Sequence, residues 1–477
     1  MAKTISIEPI TRIEGHMKVE THIENGKVSN AQISGQMYRG FEKFLEGRHP
    51  VDAARIAQRV CGVCHEVHGI ASILALEELY NNPSVPNGHI LRDLILGMHL
   101  ITDHLLHFYT LCMPDYVDFT KILEYNGNDT SINNLKNWVI KTKPQFVLKR
   151  NSGNYISDTN TCLGMINNYF QALKLRSRGA TGMALIGAKA PFAHAVLPGG
   201  ITTDITPATL MQYHTVLEEL KGFVINQYIP DVMEVAKRYP EYFDIGVSYN
   251  NFYTNETFKS LGDPVFKGGI ILDGNDQSFD FNHVKEYYDT SYYTPAGEPD
   301  PKKDGAYSWT KSPRYNGEPV EVGPLARMIV NKDPYFFKTM KKLGGKVQSS
   351  TMGRHVARAV ESRNLLDHLY SLLDSYKLGE SNIREVDFAQ KITGKGTGFS
   401  IAARGALIHQ IEAVDGKITK YNMIVPSTWN FGPMAQGKMG VVEKSLVNTP
   451  VKYSTENSIE VGRVIRSYDP CTACSIH

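Results

Sequence analysis

Four of the six cysteines stand in two Cys-x-x-Cys pairs at opposite ends of the 477-residue chain. The first pair lies in Arg59-Val60-Cys61-Gly62-Val63-Cys64-His65-Glu66-Val67-His68. The second lies in Asp469-Pro470-Cys471-Thr472-Ala473-Cys474-Ser475-Ile476-His477. Two residues between cysteines let both thiolates reach one ion from a turn or a helix start. Two such pairs make a four-sulfur site suited to soft or borderline metals. On spacing alone the commonest occupant is structural zinc, with a redox dithiol as the second option. Two features weigh against both. Zinc pairs usually bracket a small local module, whereas these bracket nearly the whole chain. Arg59 and Asp469 also stand next to the sulfurs, and a closed structural site has no need of charged neighbours.

Cys112 and Cys162 are isolated among apolar or mixed neighbours, which predicts buried structural thiols. Six cysteines are too few for a disulfide scaffold in a chain this long. Lys and Arg number 51 against 49 Asp and Glu, so bulk binding to nucleic acid or to an anionic membrane surface is disfavoured. The N-terminal residues show no apolar run behind a basic start, so no export signal is visible. No stretch approaches the ~18 uninterrupted apolar residues of a transmembrane helix.

The elements that must position the cysteines follow from the hydrophobic period. Ile5–Ile7, Met17–Ile23 and Val28–Ile33 alternate as strands, with Asn25-Gly26 as a two-residue hairpin turn. From about Pro50 the spacing turns helical. Ala53, Ile56, Ala57 and Val60 share one face and lead into Cys61. A further helix is predicted over about 67–80. A long one opens at Pro86, with Leu91, Leu94, Ile95, Met98, Thr102, Leu105 and Tyr109 on one face, and it also carries His99, Asp103, His104 and His107. Helical patterns recur over about 158–176, 207–238 and 356–378. Glycine- and tyrosine-rich segments lie between them, with a strand-like piece at Gly269–Leu272 and a polar surface loop at Pro295–Pro301. Strands return at Phe399–Ala402, Ala406–Ile411 and Ile418–Val425 around an Asp415-Gly416 turn.

This pattern predicts an α+β fold, predominantly α-helical, with a central bundle of long helices and peripheral β-structure. No internal repeat or linker divides it, so residues 1–477 read as a single intertwined body. Its parts are an N-terminal β region over about 1–40, a helical core over about 50–240 and 320–380, an irregular β-containing region over about 240–320, and a C-terminal β and metal-binding region over about 395–477. The N- and C-terminal segments are expected to converge on a buried metal site.

The two cysteine motifs belong to an ordered set. Thr11-Arg-Ile-Glu-Gly-His16, Arg39-Gly-Phe-Glu42, His104-Leu-Leu-His-Phe-Tyr109, Gly353-Arg-His-Val-Ala-Arg358, Ala403-Arg-Gly-Ala-Leu407 and Val425-Pro-Ser-Thr-Trp-Asn430 fall between or around them. With Arg-x-Cys-Gly-x-Cys and Asp-Pro-Cys-x-x-Cys-x-x-His, this series resembles the large, catalytic subunit of the nickel–iron hydrogenases over nearly the whole chain. The length and Asp304-Gly-Ala-Tyr307 resemble the compact respiratory-type enzymes and their selenium-containing relatives, with Cys471 standing where those relatives carry selenocysteine.

The resemblance implies reversible heterolytic cleavage of H2 at a Ni–Fe centre. Cys64 and Cys474 would bridge the two metals, Cys61 and Cys471 would bind nickel alone, and iron would carry CO and cyanide. Cys471 and Arg404 are the implied bases, with Asp103 and Asp469 as ion-pair partners of Arg404. Glu14 is the implied first proton carrier away from Cys471. Glu42, the backbone carbonyl of Met423 and His477 resemble a Mg2+ site. His68 would hydrogen-bond a bridging sulfur, and Ser427 and the backbone at Arg404 would donate to the cyanides. Val63 and Leu111 match positions lining a gas route, although plain core packing accounts for them equally well. The family usually has Pro where this chain has Ala403, which puts the tuning of the iron in doubt.

No cysteines remain for iron–sulfur clusters, so the resemblance demands a small partner subunit carrying them, in a heterodimer or a dimer of heterodimers, together with maturation proteins. It also implies co-export with that subunit to the periplasm or the outer face of the cytoplasmic membrane, although a cytoplasmic enzyme would look the same. The ending at His477 fits a matured chain or one made without a cleaved tail. The alternatives are a regulatory hydrogen sensor with the same site and a quinone-chamber subunit of a respiratory complex. The four cysteines disfavour the second.

Overall fold

The computed structural model describes residues 3–148, 151–453 and 457–477. Asn25 and Gly26 take φ of 51° and 74°, the positive values that close a two-residue hairpin with the native twist. They join Met17–Glu24 to Lys27–Gly35, and Lys3–Ile7 pairs antiparallel with the free side of Met17–Glu24. Asp415 and Gly416, at 49° and 73°, close the same kind of hairpin between Gly405–Val414 and Lys417–Ile424. Gly394–Ala402 completes that second three-stranded sheet. Ala402 pairs with Gly405, so Ala403 and Arg404 form a hairpin tip, and both are buried.

Five helices make the centre: His65–Leu79, Pro86–Leu106, Thr159–Gly187, Pro207–Phe223 and Thr351–Ser375. Their starts follow capping chemistry. Asp158 accepts from Thr161 N, Thr206 from Thr209 N and Ser350 from Gly353 N, each satisfying an orphan donor of the first turn. The helix predicted to end near residue 176 continues to Gly187. Gly179 and Gly182 look like breakers in sequence but serve packing. A Cβ on Gly179 would fall 2.3 Å from Thr102 Cγ2, so glycine lets this helix lie close against Pro86–Leu106. The segment predicted as one helix over 207–238 is interrupted by a wide turn at Val224–Tyr228 before Ile229–Arg238. Pro230 lacks an N–H and crowds the carbonyl four residues back, and the wider turn makes room for it. A similar turn, His107–Cys112, ends the Pro86–Leu106 helix.

The main core joins the long helices to the central part of the second sheet and contains all four paired cysteines. A second core joins the N-terminal sheet to Val441–Leu446 and Ile459–Ser467. Among the described residues no helix is long and apolar enough to cross a membrane. The two ends of the chain meet as expected. Glu14 N donates to Pro470 O at 3.2 Å, Thr472 N to Glu14 O at 2.9 Å, and Arg39 N to Ile476 O at 3.2 Å.

The His65–Leu79 helix, which begins directly after Cys64, lies tightly on Gly394–Ala402. A Cβ on Gly398 would fall 1.9 Å from Ala71 O and 2.7 Å from Ala75 N, both backbone atoms. Gly398→Ala is therefore expected to destabilise the fold by about 3 kcal/mol or more, because helix and strand must separate. Thermal unfolding of the variant beside the parent measures this, and an unchanged midpoint would contradict it.

Candidate metal centre

The first cysteine pair is held in a loop between a short 3-10 turn, Gln58–Val60, and the N-terminus of His65–Leu79. Val63 N and Cys64 N lie 3.2 and 3.3 Å from Cys61 Sγ, a turn that aims both sulfurs inward. The second pair follows a helix end. Ile459–Ser467 stops at Tyr468, and Asp469 takes φ of 59° at the position where glycine is usual. A non-glycine residue there costs about 1–3 kcal/mol. Arg404 holds it in place, with Nε donating to Asp469 O at 3.0 Å and a terminal nitrogen to Asp469 Oδ1 at 3.0 Å. The kink delivers Cys471 to Cys61 at an Sγ–Sγ distance of 3.2 Å and Cys474 to Cys64 at 3.1 Å, while Cys471 and Cys474 are 2.7 Å apart. These spacings are well beyond a disulfide bond of about 2.05 Å. The four sulfurs are free, buried and mutually within 4.8 Å.

Arg39 clips the two pairs together. Its guanidinium donates to Val60 O, to Ala473 O at 3.1 Å and to Arg59 O at 3.2 Å. Arg39 stands in a quoted motif but was not among the residues singled out from the sequence. Arg59, singled out from the sequence, has an exposed side chain whose guanidinium carbon stacks 4.2 Å from the centre of the Phe192 ring, while its backbone carbonyl accepts from Arg39.

Cys471 Sγ donates to Glu14 Oε2 at 3.2 Å, and Ala473 N donates to the same oxygen at 2.9 Å. Burial foremost, then the charge of Cys61, raises the pKa of Glu14 above the usual carboxyl range. The loop carrying Glu14 is anchored by a buried carboxylate, Asp115, between the guanidinium groups of Arg12 and Arg466, and Arg466 also donates to Thr11 O at 3.0 Å. Arg404 lies 3.5 Å from Asp103 as well as bonding Asp469. Burial opposes the guanidinium charge. Asp469, then Cys471 and Asp103, outweigh it and hold Arg404 firmly protonated. Asp103 is not a solvated helix charge: it is buried and also pairs with Arg176 at 2.6 Å. The tip bearing Arg404 is braced by Arg327, which donates to the carbonyls of Ala402 and Ala403 and pairs with Glu361, itself 2.9 Å from His104.

Ser427 Oγ accepts from Cys471 N at 3.2 Å. The Nδ1 of His68 meets His409 Nε2 at 3.1 Å. Val63 and Leu111 are half-buried, with Leu111 O accepting from Arg12 at 2.8 Å.

Beside the cluster lies a second polar nest. His477 Nδ1 is 2.6 Å from Cys474 O and must donate to it, so a neutral ring presents its Nε2 lone pair to Glu42 Oε1, 3.2 Å away. Two acceptors facing one another call for a cation or a proton. Met423 N donates to Glu42 Oε1 at 2.9 Å. A strand residue sends its N–H and C=O to the same side, so the Met423 carbonyl points along the same outer edge. Lys311 and Glu286, unmarked in the sequence, complete the nest. Lys311 pairs with Glu42 at 2.6 Å and lies 3.8 Å from Glu286. One oxygen of Glu286 is buried without a hydrogen bond. Against burial, Lys311 foremost holds Glu42 at a pKa of about 2.

Cys112 and Cys162 are buried, as expected. Cys112 also falls within ligand reach of His107 and His355. Burial foremost, then Arg358, depresses both imidazoles, and so cationic a setting opposes a metal ion.

The four-sulfur set fits a metal centre on its donor chemistry. Burial drives the pKa of Cys471 and Cys474 well above the ordinary thiol range, so four adjacent thiolates are untenable without cations among them. Comparison with known proteins agrees. The family model described as nickel-dependent hydrogenase matches residues 39–477, and one described as HoxL-like matches residues 4–34. The periplasmic [NiFeSe] hydrogenase large subunit of Desulfomicrobium baculatum is 34% identical over 99% of this chain and 94% of its own length. The Hydrogenase-2 large chain of Escherichia coli K12 is 32% identical over 100% and 97%. The solved Ni-Fe-Se hydrogenase of Desulfovibrio vulgaris Hildenborough superposes with a TM-score of 0.90 at 34% identity, covering 100% of both chains. A buried sulfur cluster built from both ends of the chain, inside a fold shared along its whole length, places this protein in the nickel-dependent hydrogenase family as a large subunit.

Proposed function

We propose that this chain carries out reversible heterolytic cleavage of H2, with Cys61, Cys64, Cys471 and Cys474 holding nickel and iron. The observation that carries this is the convergence of four buried, free sulfurs with a carboxyl, Glu14, and a guanidinium, Arg404, beside them. Cys64 and Cys474 would be the shared ligands, Cys61 and Cys471 the terminal ones. Iron would carry CO and cyanide, and Ser427 and the backbone at Arg404 would donate to the cyanides. When bound, the two metals supply the Lewis-acid and redox chemistry that splits H2.

The chain's own residues handle the proton. Cys471 Sγ receives it, because this sulfur alone already bonds the Glu14 carboxyl at 3.2 Å. Glu14 takes it onward, its affinity for a proton raised by burial foremost and then by the charge of Cys61. Arg404, pinned by Asp469 and Asp103, stays charged and is a weaker base candidate than Cys471. Its task is a fixed positive charge beside the sulfurs. Glu42, the carbonyl of Met423 and His477 would hold Mg2+ and so tie the C-terminal segment down over the cysteines. Val63 and Leu111 flank the route for gas.

The whole chain works as one body, and its electrons leave through an iron–sulfur small subunit after assembly by maturation proteins. Export with that subunit, to the periplasm or the outer face of the cytoplasmic membrane, is in keeping with the periplasmic relative. Cys474→Ser tests the proposal. In the purified heterodimer it is expected to abolish H2 oxidation with an artificial acceptor and to strip nickel. Parent-level turnover in that variant would overturn the assignment.

A further inference from the structure

One buried polar chain beside the cluster has no part in the proton handling above. His68 and Ser72 stand four residues apart on one face of the His65–Leu79 helix. That face meets the sheet containing Gly405–Val414 and Lys417–Ile424. There His409 pairs with Met423, and Tyr421 with Ile411, so His409 and Tyr421 are diagonal neighbours on adjacent strands. His409 Nδ1 lies 2.8 Å from Tyr421 Oη, and Tyr421 Oη donates to Ser72 Oγ at 2.8 Å. With the 3.1 Å contact of His68 Nδ1 to His409 Nε2, four buried side chains form one series.

The contacts run through Nδ1 of His68 and both nitrogens of His409 to the Tyr421 hydroxyl and Ser72, and they leave His68 Nε2 outside the series. His68 lies one helical turn past Cys64, with its backbone N–H 3.4 Å from Cys64 O. The charge of Cys61 acts on its ring.

We propose that His409 and Tyr421 are positioning residues for the metal centre: with Ser72 they fix the orientation of the His68 ring beside the cysteine cluster. This rests on the cluster being the Ni–Fe site. Outer hydrogen bonds of this kind set the tautomer and the electron donation of groups around a metal. If the quartet only satisfied polar groups in the core, its loss would lower stability and leave the metals untouched.

The experiment is infrared spectroscopy of the CO and cyanide bands in the holoenzyme. Tyr421→Phe is expected to keep the bands but displace them beyond their linewidth. Ser72→Ala, which leaves the Tyr421 hydroxyl with His409 as its one remaining partner in the series, is expected to displace them too. Tyr213→Phe is the matched control: it removes another buried hydroxyl, bonded to Leu94 O at 2.8 Å and outside this series, and should leave the bands in place. Bands unmoved in Tyr421→Phe and Ser72→Ala overturn the proposal while the Ni–Fe reading stands. Bands absent from the parent overturn the Ni–Fe reading itself. Should Tyr421→Phe take up no metal, Ser72→Ala decides, with moved bands supporting the proposal and unmoved ones overturning it.

Discussion

Glu14→Gln is expected to lower H2 turnover by about 10²- to 10⁴-fold, the usual contribution of a positioned acid–base group. Glutamine matches glutamate in shape and keeps an oxygen for the 2.9 Å bond from Ala473 N. The loop is also held independently of the side chain, through Glu14 N, Glu14 O and the Arg12–Asp115–Arg466 cluster. The metals should therefore assemble as in the parent. What is lost is the ability to take a proton from Cys471 Sγ at 3.2 Å and pass it on. Steady-state H2 oxidation, with infrared bands confirming an intact centre, measures this. Full turnover would remove Glu14 from the pathway.

Arg404→Lys is the second large effect, at about 10²- to 10³-fold in kcat, comparable to removing one preorganised donor from an active site. The charge is kept but the fork is not. One ammonium on a flexible stem cannot bond Asp469 O and Oδ1 while also reaching Asp103. The strained backbone at Asp469, φ 59°, loses its brace, and it sits two residues before Cys471. Single-turnover kinetics on the loaded heterodimer test this. A variant as fast as the parent would show that the guanidinium geometry plays no part.

Local chemistry was legible from the sequence. Asn25-Gly26 and Asp415-Gly416 specify their turns, and the helical period places Asp103 on a long helix. The cysteine pairs announce a four-sulfur set, and the ordered motifs name its family. Two kinds of feature were not legible. Glycines such as Gly179 and Gly398 look like breakers until the neighbouring backbone is seen pressed against them. Side chains that act across great sequence distance carry no local signal: Asp115 meets Arg466, Lys311 meets Glu42, and His68 meets His409. Adjacency in sequence is equally silent on direction: Arg59, two residues before Cys61, leaves its 3-10 turn toward Phe192. The Ala403 departure now has a location, at the buried hairpin tip beside Arg404 with its carbonyl bound by Arg327.

The measurement that bears most directly on the central claim is metal analysis of the purified heterodimer, combined with infrared spectra of the CO and cyanide stretches. Nickel equimolar with the heterodimer, with bands from both ligands, is the predicted result. Zinc alone on the four cysteines, with no such bands, would contradict the account.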